Sequence, residues 1–313
     1  MSHPSQTVTT GRFAPSPTGR MHLGNVYAAL MSWLWARREG GRWLLRIEDL
    51  DPQRSRREYA LQLMDDLHWL GLDWDGDPLW QSARGDRYAA ALARLETAGF
   101  TYPCYCTRAD IMATQAPHVS DGRVVYSGRC RPPRLGGAAA VSAPPGRKGA
   151  TRLWVPDRDI VFTDGICGRQ QVNLARDCGD FVVRRADGAW AYQLAVVVDD
   201  GESGVSQIVR GNDLLLSAAG QLYLYDLLGL PCPQFVHIPL MVNEQRQRLS
   251  KRDSSLSLEA LRGRKTAREV IGAIAAAAGI VPAGTAVTPQ ELLQAAPSLA
   301  VLSGRQTIPA PLL

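Results

Sequence analysis

Residues 7–98 alternate between two hydrophobic periods, and no other feature restricts the fold as strongly. Residues 7–13 read as a short strand, after which Pro15, Pro17 and Gly19 break the backbone. Leu23, Tyr27, Leu30, Leu34 and Ala36 recur at roughly helical spacing, which predicts a helix over 23–38, stopped by Gly40-Gly41. "RWLLRI" (42–47) predicts the next strand, 57–70 the next helix, and 88–98 another before Gly99. Strands separated by helices are joined by crossovers, so this rhythm predicts an α/β fold with a parallel sheet. A chain of 313 residues is long enough to bury a sizeable core.

The rhythm stops near residue 101. Residues 104–165 contain Cys104-Tyr-Cys106 and the Pro/Gly/Ala-rich surface loop "PPRLGGAAAVSAPPGRKGA", and read as an insertion. Three β-rich segments follow, "DFVVRR", "AYQLAVVVDD" and "VSQIVRG", with turns expected at Asp187-Gly188 and Asp200-Gly201. Residues 217–228 look helical, and helix signals return at 257–262, 267–278 and 290–296. No internal repeat is visible. A net charge of +5 and a pI near 9.0 mildly favour a polyanionic partner. No apolar run is long enough for a membrane helix, and "MSHPSQTVTT" lacks the regions of a signal peptide, so a cytoplasmic protein without membrane partners is expected. Six cysteines are too sparse for a disulfide scaffold and point to reduced thiols or metal ligands.

Two short motifs carry chemistry. In His22-Leu-Gly24-Asn25, a residue without a Cβ lets a ligand approach the start of a helix, whose free N–H groups favour anions. His22 and Asn25 can both donate to a phosphate. Alone, this reads first as a capping turn with a surface histidine. The second motif, Arg248-Leu-Ser250-Lys251-Arg252, follows the apolar "FVHIPLMV". A loop lysine can place a point charge against a polyphosphate, though alone it reads as a solvated basic loop. Together, in this order across an α/β sheet, they suit in-line attack on the α-phosphate of ATP: one holds the nucleotide and the other neutralises departing pyrophosphate.

"RFAPSPTGRMHLGN" and "RLSKR" resemble the two signature motifs of class I aminoacyl-tRNA synthetases. The "RFAPSPTG" lead-in, "RWLLRIEDLDPQRS" and "DFVVRRADGAWAYQLAVVVDD…GVSQIVRGNDLL" are similar to the glutamyl/glutaminyl branch. The resemblance runs from about residue 10 to 255, with Asn25 in place of a motif histidine. Only residues 253–313 follow the second motif, where a glutamyl-tRNA synthetase has a sizeable anticodon-binding region. That is similar to the shortened glutamyl-Q tRNA(Asp) synthetase family. The resemblance implies activation of L-glutamate by ATP without tRNA, and transfer to the queuosine at the wobble position of tRNA(Asp). The anticodon arm of that tRNA would then be the partner, and a monomer is expected.

The resemblance also implies a Rossmann-like sheet with four regions. These are 1–103 and 166–252 as the halves of the catalytic domain, 104–165 as a zinc-binding insertion, and 253–313 as a helical region without an anticodon-binding domain. Glutamate's two carboxylates need fixed cations, and Arg12 and Arg210 are placed at strand ends, where open α/β sheets bind ligands. Glu48 suits the ammonium group, Tyr192 adds a hydroxyl, and Ala14 and Ser16 complete the glutamate set. His22, Gly24, Asn25, Ser250 and Lys251 form the ATP set, with His22 and Lys251 as the principal catalytic donors and Mg²⁺ accompanying ATP. Asp49 and Asp51 read as solvated turn carboxylates. Cys104, Cys106 and Cys130 supply three thiolates, and zinc wants four ligands in a closed structural site. Generic chemistry nominates His118 as the fourth, whereas the resemblance points to Tyr126 in "YSGRC". Cys167, Cys178 and Cys232 read as packing residues. Three other readings compete: a compact glutamyl- or glutaminyl-tRNA synthetase charging a tRNA 3′ end, a tRNA-binding protein without catalysis, and a nucleotidyltransferase outside the synthetases.

Overall fold

Strand β1 (Thr10–Phe13), helix α1 (Leu23–Arg37), strand β2 (Arg42–Ile47), helix α2 (Arg57–Leu70), strand β3 (Leu79–Trp80) and helix α3 (Gly85–Thr97) follow one another in a computed structural model of the chain that describes residues 8–113, 125–247, 249 and 257–311. β1 pairs with β2, and β2 with β3, all in parallel, as the alternation of periods predicts. His22 caps α1, and Asn25 Oδ1 accepts the His22 N–H at 3.2 Å, closing a capping box. The turn from α1 to β2 needs glycine twice. Gly40 adopts φ 65°, and a Cβ on Gly41 would meet Thr9 O at 2.4 Å.

The middle of the chain builds a different unit. It comprises strand β4 (Thr101–Cys104), the short helix α4 (Arg108–Ala113) and strands β5 (Ala150–Leu153), β6 (Asp159–Asp164), β7 (Gly168–Asn173) and β8 (Val182–Arg184). β4, β5 and β8 form an antiparallel sheet, and β6–β7 is a hairpin. "DFVVRR" is therefore a strand, but of this antiparallel sheet.

Helix α5 (Tyr192–Glu202), strand β9 (Gln207–Gly211), helix α6 (Leu215–Leu228), and strands β10 (Gln234–Ile238) and β11 (Leu240–Val242) restore the first pattern. β9 and β10 pair in parallel. Ser206 donates its N–H to Thr10 O and accepts from Thr10 N, both at 2.9 Å, which sets β9 beside β1. The strands thus run in the order β3, β2, β1, β9, β10, with the order reversing between β1 and β9. "AYQLAVVVDD" is helix α5, which overturns the β-rich reading, and Asp200-Gly201 lies within that helix and makes no turn. The helical period is invisible there because residues 194–200 are all buried, so no polar face marks it. The expected turn at Asp187-Gly188 is present, with Gly188 at φ 89°.

Helices α7 (Leu258–Arg262), α8 (Ala267–Ala277) and α9 (Pro289–Gln294) precede strand β12 (Thr307–Pro309), which pairs in parallel with β11. Thr266 with Glu269 and Thr288 with Glu291 form capping boxes for α8 and α9. Two apolar cores flank the parallel strands. Leu45, Val209 and Val236 enter one core, whereas their neighbours Leu44, Ile208 and Phe235 enter the other. This alternation places the cores on opposite faces. The first joins α1 and α2 to Leu258, Val270, Ile274 and Leu292 of the last helices; the second joins α3, α5 and α6.

Candidate active site

A cavity of about 490 Å³ opens at the carboxyl ends of β1, β9 and β10. In an open α/β sheet this is where ligands bind, at the point where the strand order reverses. Arg12, Ala14, Ser16, Glu48, Tyr192 and Arg210 line it, and so do His22, Gly24 and Asn25. The geometry therefore brings nine of the residues singled out from the sequence to one cavity. Ser250 and Lys251 lie outside the described residues. The chain on either side of them is tied to the same place. Buried Leu249 lines the cavity, Ser257 bridges to His22, and Leu258 donates its N–H to Met21 O at 2.9 Å.

The wall between β1 and β2 is a chain of buried charges. Arg12 Nε donates to Asp200 Oδ1 at 3.2 Å, Arg46 Nη1 donates to the same oxygen, and Arg46 Nη2 donates to Glu48 Oε1 at 3.3 Å. Burial pushes the Asp200 carboxyl up, but Arg12 and Arg46 outweigh it and hold the group below its ordinary value. Glu48 differs: burial raises its carboxyl above the usual range despite Arg46 and Arg12. A bound ammonium at Glu48 would favour the ionised form.

Arg210 forms the opposite wall. Its Nε faces His237 Nε2 at 3.0 Å, Nη1 donates to Gln221 Oε1 at 2.8 Å, and Nη2 to Leu214 O at 3.2 Å. All three acceptors are neutral, and among the described residues no carboxylate pairs with this guanidinium, which is only 6% exposed. Two of its five N–H donors remain, beside a cavity. A ligand carboxylate there would supply the missing counter-charge. Tyr192, the first residue of α5, lies between these walls, with burial raising its phenol above its ordinary value.

The floor is the "APSPTG" loop. Glu48 N donates to Pro15 O at 3.0 Å and Arg56 N to Pro17 O at 2.9 Å, so β2 and the start of α2 hold it. Gly24 has a more specific role than the sequence suggests. A Cβ there would lie 3.1 Å from the His22 ring, so the glycine makes room for that ring as well as for a ligand.

Away from the cavity, the Cys104, Cys106 and Cys130 sulfurs all lie within 4.8 Å of one another. Tyr126 Oη sits 3.4 Å from Cys104 Sγ and 3.7 Å from Cys106 Sγ, and the two sulfurs of Cys106 and Cys130 are 3.7 Å apart. Tetrahedral ligation at metal–sulfur distances of about 2.3 Å places ligand atoms roughly 3.5–3.8 Å apart. The cluster could therefore hold a metal with little rearrangement. His118 lies outside the described residues.

A family model described as tRNA synthetases class I (E and Q), catalytic domain, matches residues 7–296. The chain belongs to this class I synthetase family. Among its relatives, a glutamyl-Q tRNA(Asp) synthetase of Neisseria meningitidis is 50% identical over 261 residues, 83% of this chain and 86% of that one. The protein of the same name from Symbiobacterium thermophilum is 46% identical over 295 residues, 90% of each chain. A crystal structure of a glutamate tRNA ligase from Elizabethkingia meningosepticum, in complex with its amino acid, superposes with a TM-score of 0.79 at 27% identity, covering 97% of this chain and 67% of that one.

Several residues that shape this synthetase's cavity escape the sequence motifs. Asp200 and Arg46 join the charge chain, while His237, Asp164 and Gln221 stand behind Arg210. Two signals were present: paired acids after "VVV" and a lone histidine in the apolar "FVHIPL". The pair divides its work. Asp199 accepts from Gln81, Arg84 and Tyr88 on the far side of α5, whereas Asp200 serves the cavity wall. Asp51 accepts from Gln53 N and acts as a local turn acceptor, whereas Asp49 accepts from Ser82 N and Oγ, 33 residues away, because the fold returns the chain before α3 to the end of β2. Cys167 and Cys178 are partly buried as packing residues, but Cys232 is exposed, because it sits in the Pro-flanked connection between α6 and β10. Among the described residues no helix is long and apolar enough to cross a membrane.

Proposed function

We propose that this synthetase activates L-glutamate with ATP, without requiring tRNA, and transfers the glutamyl group to the queuosine at the wobble position of tRNA(Asp). The observation that carries this reading is the 46–50% identity, over 83–90% of the chain, to relatives named glutamyl-Q tRNA(Asp) synthetase. The amino-acid site supports it. Arg210, without a carboxylate partner among the described residues, takes the side-chain carboxylate. Glu48 takes the ammonium, with Tyr192, Ala14 and Ser16 shaping the space between. Arg12, already shared with Asp200, orients the α-carboxylate without quenching its nucleophilicity.

ATP lies over the start of α1, against His22, Gly24 and Asn25, with Ser250 and Lys251 as its remaining ligands. A glutamate α-carboxylate oxygen attacks the α-phosphorus, the bond to the bridging oxygen breaks, and pyrophosphate leaves. The nucleophile is already ionised, so catalysis consists of positioning and charge neutralisation, chiefly by His22 and Lys251. Mg²⁺ bound together with ATP would add to that neutralisation. A queuosine hydroxyl oxygen then attacks the glutamyl carbonyl carbon, the bond from that carbon to the adenylate oxygen breaks, AMP leaves and the hydroxyl proton passes to solvent. Cys104, Cys106, Cys130 and Tyr126 would hold a structural zinc. The anticodon arm of tRNA(Asp) is the macromolecular partner, the cytoplasm is the setting, and one chain supplies the proposed site residues, so a monomer suffices.

Labelled glutamate tests this reading. With ATP, the label is expected on queuosine-containing tRNA(Asp), and not on the same tRNA lacking queuosine. Labelling of tRNA 3′ ends would instead make the chain a compact glutamyl-tRNA synthetase, the reading favoured by the structural match to a glutamate tRNA ligase.

A further inference from the structure

Behind Arg210 stand two buried side chains that the proposed reaction does not use. Asp164, at the end of β6, faces His237 on β10, and His237 faces Arg210 on β9. Asp164 Oδ2 lies 2.6 Å from His237 Nδ1, and His237 Nε2 lies 3.0 Å from Arg210 Nε. His237 is 0% exposed and Asp164 2%. The Asp164 carboxylate is itself locked. Its oxygens also accept the backbone N–H groups of Ile166, Cys167 and His237 at 2.8–3.1 Å.

The chemistry assigns the protons. Arg Nε–H donates and cannot accept, so His237 Nε2 must present a lone pair. The ring proton is then on Nδ1, donated to Asp164. Only a neutral imidazole meets both conditions, and burial keeps the ring below its ordinary value although Asp164 pulls the other way. The charged groups facing the ring are Asp164 from β6, Arg210 from β9 and, at longer range, Arg12 from β1.

We propose that Asp164 and His237 position Arg210 for a substrate carboxylate: Asp164 fixes the tautomer of His237, whose neutral lone pair orients the guanidinium without cancelling its charge. A carboxylate in place of the imidazole would orient Arg210 equally well, but would satisfy the charge that the ligand must meet. A histidine held by an aspartate gives direction and leaves the charge unspent. The hairpin β6–β7 thereby takes part in amino-acid binding from outside the cavity, through Asp164. His237 is a positioning residue, since Arg210 stands between it and the cavity. The inference rests on the proposed role of Arg210 in binding glutamate.

Two amide variants separate the halves of the device. In His237→Gln the amide oxygen can stand where Nε2 meets Arg210. In His237→Asn the shorter amide reaches only the Nδ1 position and restores the bond to Asp164 alone. Asp164→Asn turns an acceptor into a donor toward Nδ1, which forces the proton onto Nε2 and against Arg210 Nε–H. In glutamate-dependent ATP–pyrophosphate exchange, His237→Asn and Asp164→Asn are expected to raise KM for glutamate about 10-fold or more, while His237→Gln stays within about 3-fold of the parent. KM for ATP should stay level in all three. Thermal melting identifies any variant that fails to fold, and the comparison then passes to the remaining ones. Equal losses in the folded Asn and Gln variants at 237, a parallel rise in KM for ATP, or parental KM for glutamate in Asp164→Asn would overturn the inference. Arg210→Lys tests the underlying reading separately. If it leaves KM for glutamate unchanged, Arg210 does not bind the amino acid, whatever the His237 variants do.

Discussion

His22 and Lys251 carry the activation step in the proposed mechanism, and they act on different atoms from the residues that bind glutamate. His22 is held by the cap of α1 and by the space that Gly24 leaves for its ring. Lys251 belongs to the segment whose flanks, Leu249 and Ser257, are anchored beside that turn. A charge that meets departing pyrophosphate contributes mainly to the transition state. Lys251→Ala is therefore expected to lower kcat for pyrophosphate exchange about 100-fold, with little change in KM for glutamate. Normal exchange in that variant would remove Lys251 from the mechanism. His22 and Gly24 are legible because a short motif brings them to notice. Asp200 is not, because nothing local distinguishes an acid that ends a buried helix from one in an exposed turn.

At the scale of single elements, the cluster of Cys104, Cys106 and Cys130 brings the end of β4 to the chain around Tyr126 and Cys130. It lies outside the cavity, and its small apolar surround includes Tyr102 and Trp154. A metal there would staple the segment where the regular α/β pattern lapses. Mass spectrometry of the native protein is expected to find about one zinc per chain, held by four ligands. Cys130→Ser and Tyr126→Phe should each lose metal more readily to a chelator, while His118→Ala keeps it. Retention by Tyr126→Phe with loss from His118→Ala would reverse the assignment of the fourth ligand. The thiol spacing was readable from the sequence. That a phenol oxygen stands 3.4 and 3.7 Å from two of the sulfurs emerges only when the chain returns to β4.

Across the whole molecule, Asp200 links α5 to β1 and β2 through Arg12 and Arg46. Its carboxyl is held below the ordinary aspartate value, so the unfolded chain binds the proton more readily than the folded one. The stability it contributes is complete above about pH 4 and is lost as pH falls through the depressed folded value. Glu48 has the opposite sign: its raised carboxyl favours the folded state more at low pH than at high. Comparing parent with Asp200→Asn isolates the first effect. The variant should be less stable by about 3 kcal/mol or more at pH 7, because two buried guanidinium groups lose a shared counter-ion. Denaturant titrations should show that gap closing below about pH 4. A gap that is absent at pH 7, or unchanged on acidification, would show that Arg12 and Arg46 are compensated elsewhere.

Local periodicity and turn chemistry were enough to place β1, α1, β2 and α2, since each has one buried and one breaking signal within a few residues. The motif residues at the cavity became accessible only through the pairing and resemblance of their motifs, since His22-Leu-Gly24-Asn25 alone reads as a capping turn. Tertiary structure alone decided that "AYQLAVVVDD" is a helix, since full burial erases the period on which a sequence reading depends. It also decided which guanidinium has no carboxylate partner among the described residues. Arg12 and Arg210 look alike in the sequence, yet the fold gives one a carboxylate and the other a neutral imidazole. That difference arises from strands distant in sequence and adjacent in space, and charge balance at a buried site is a property of neighbours.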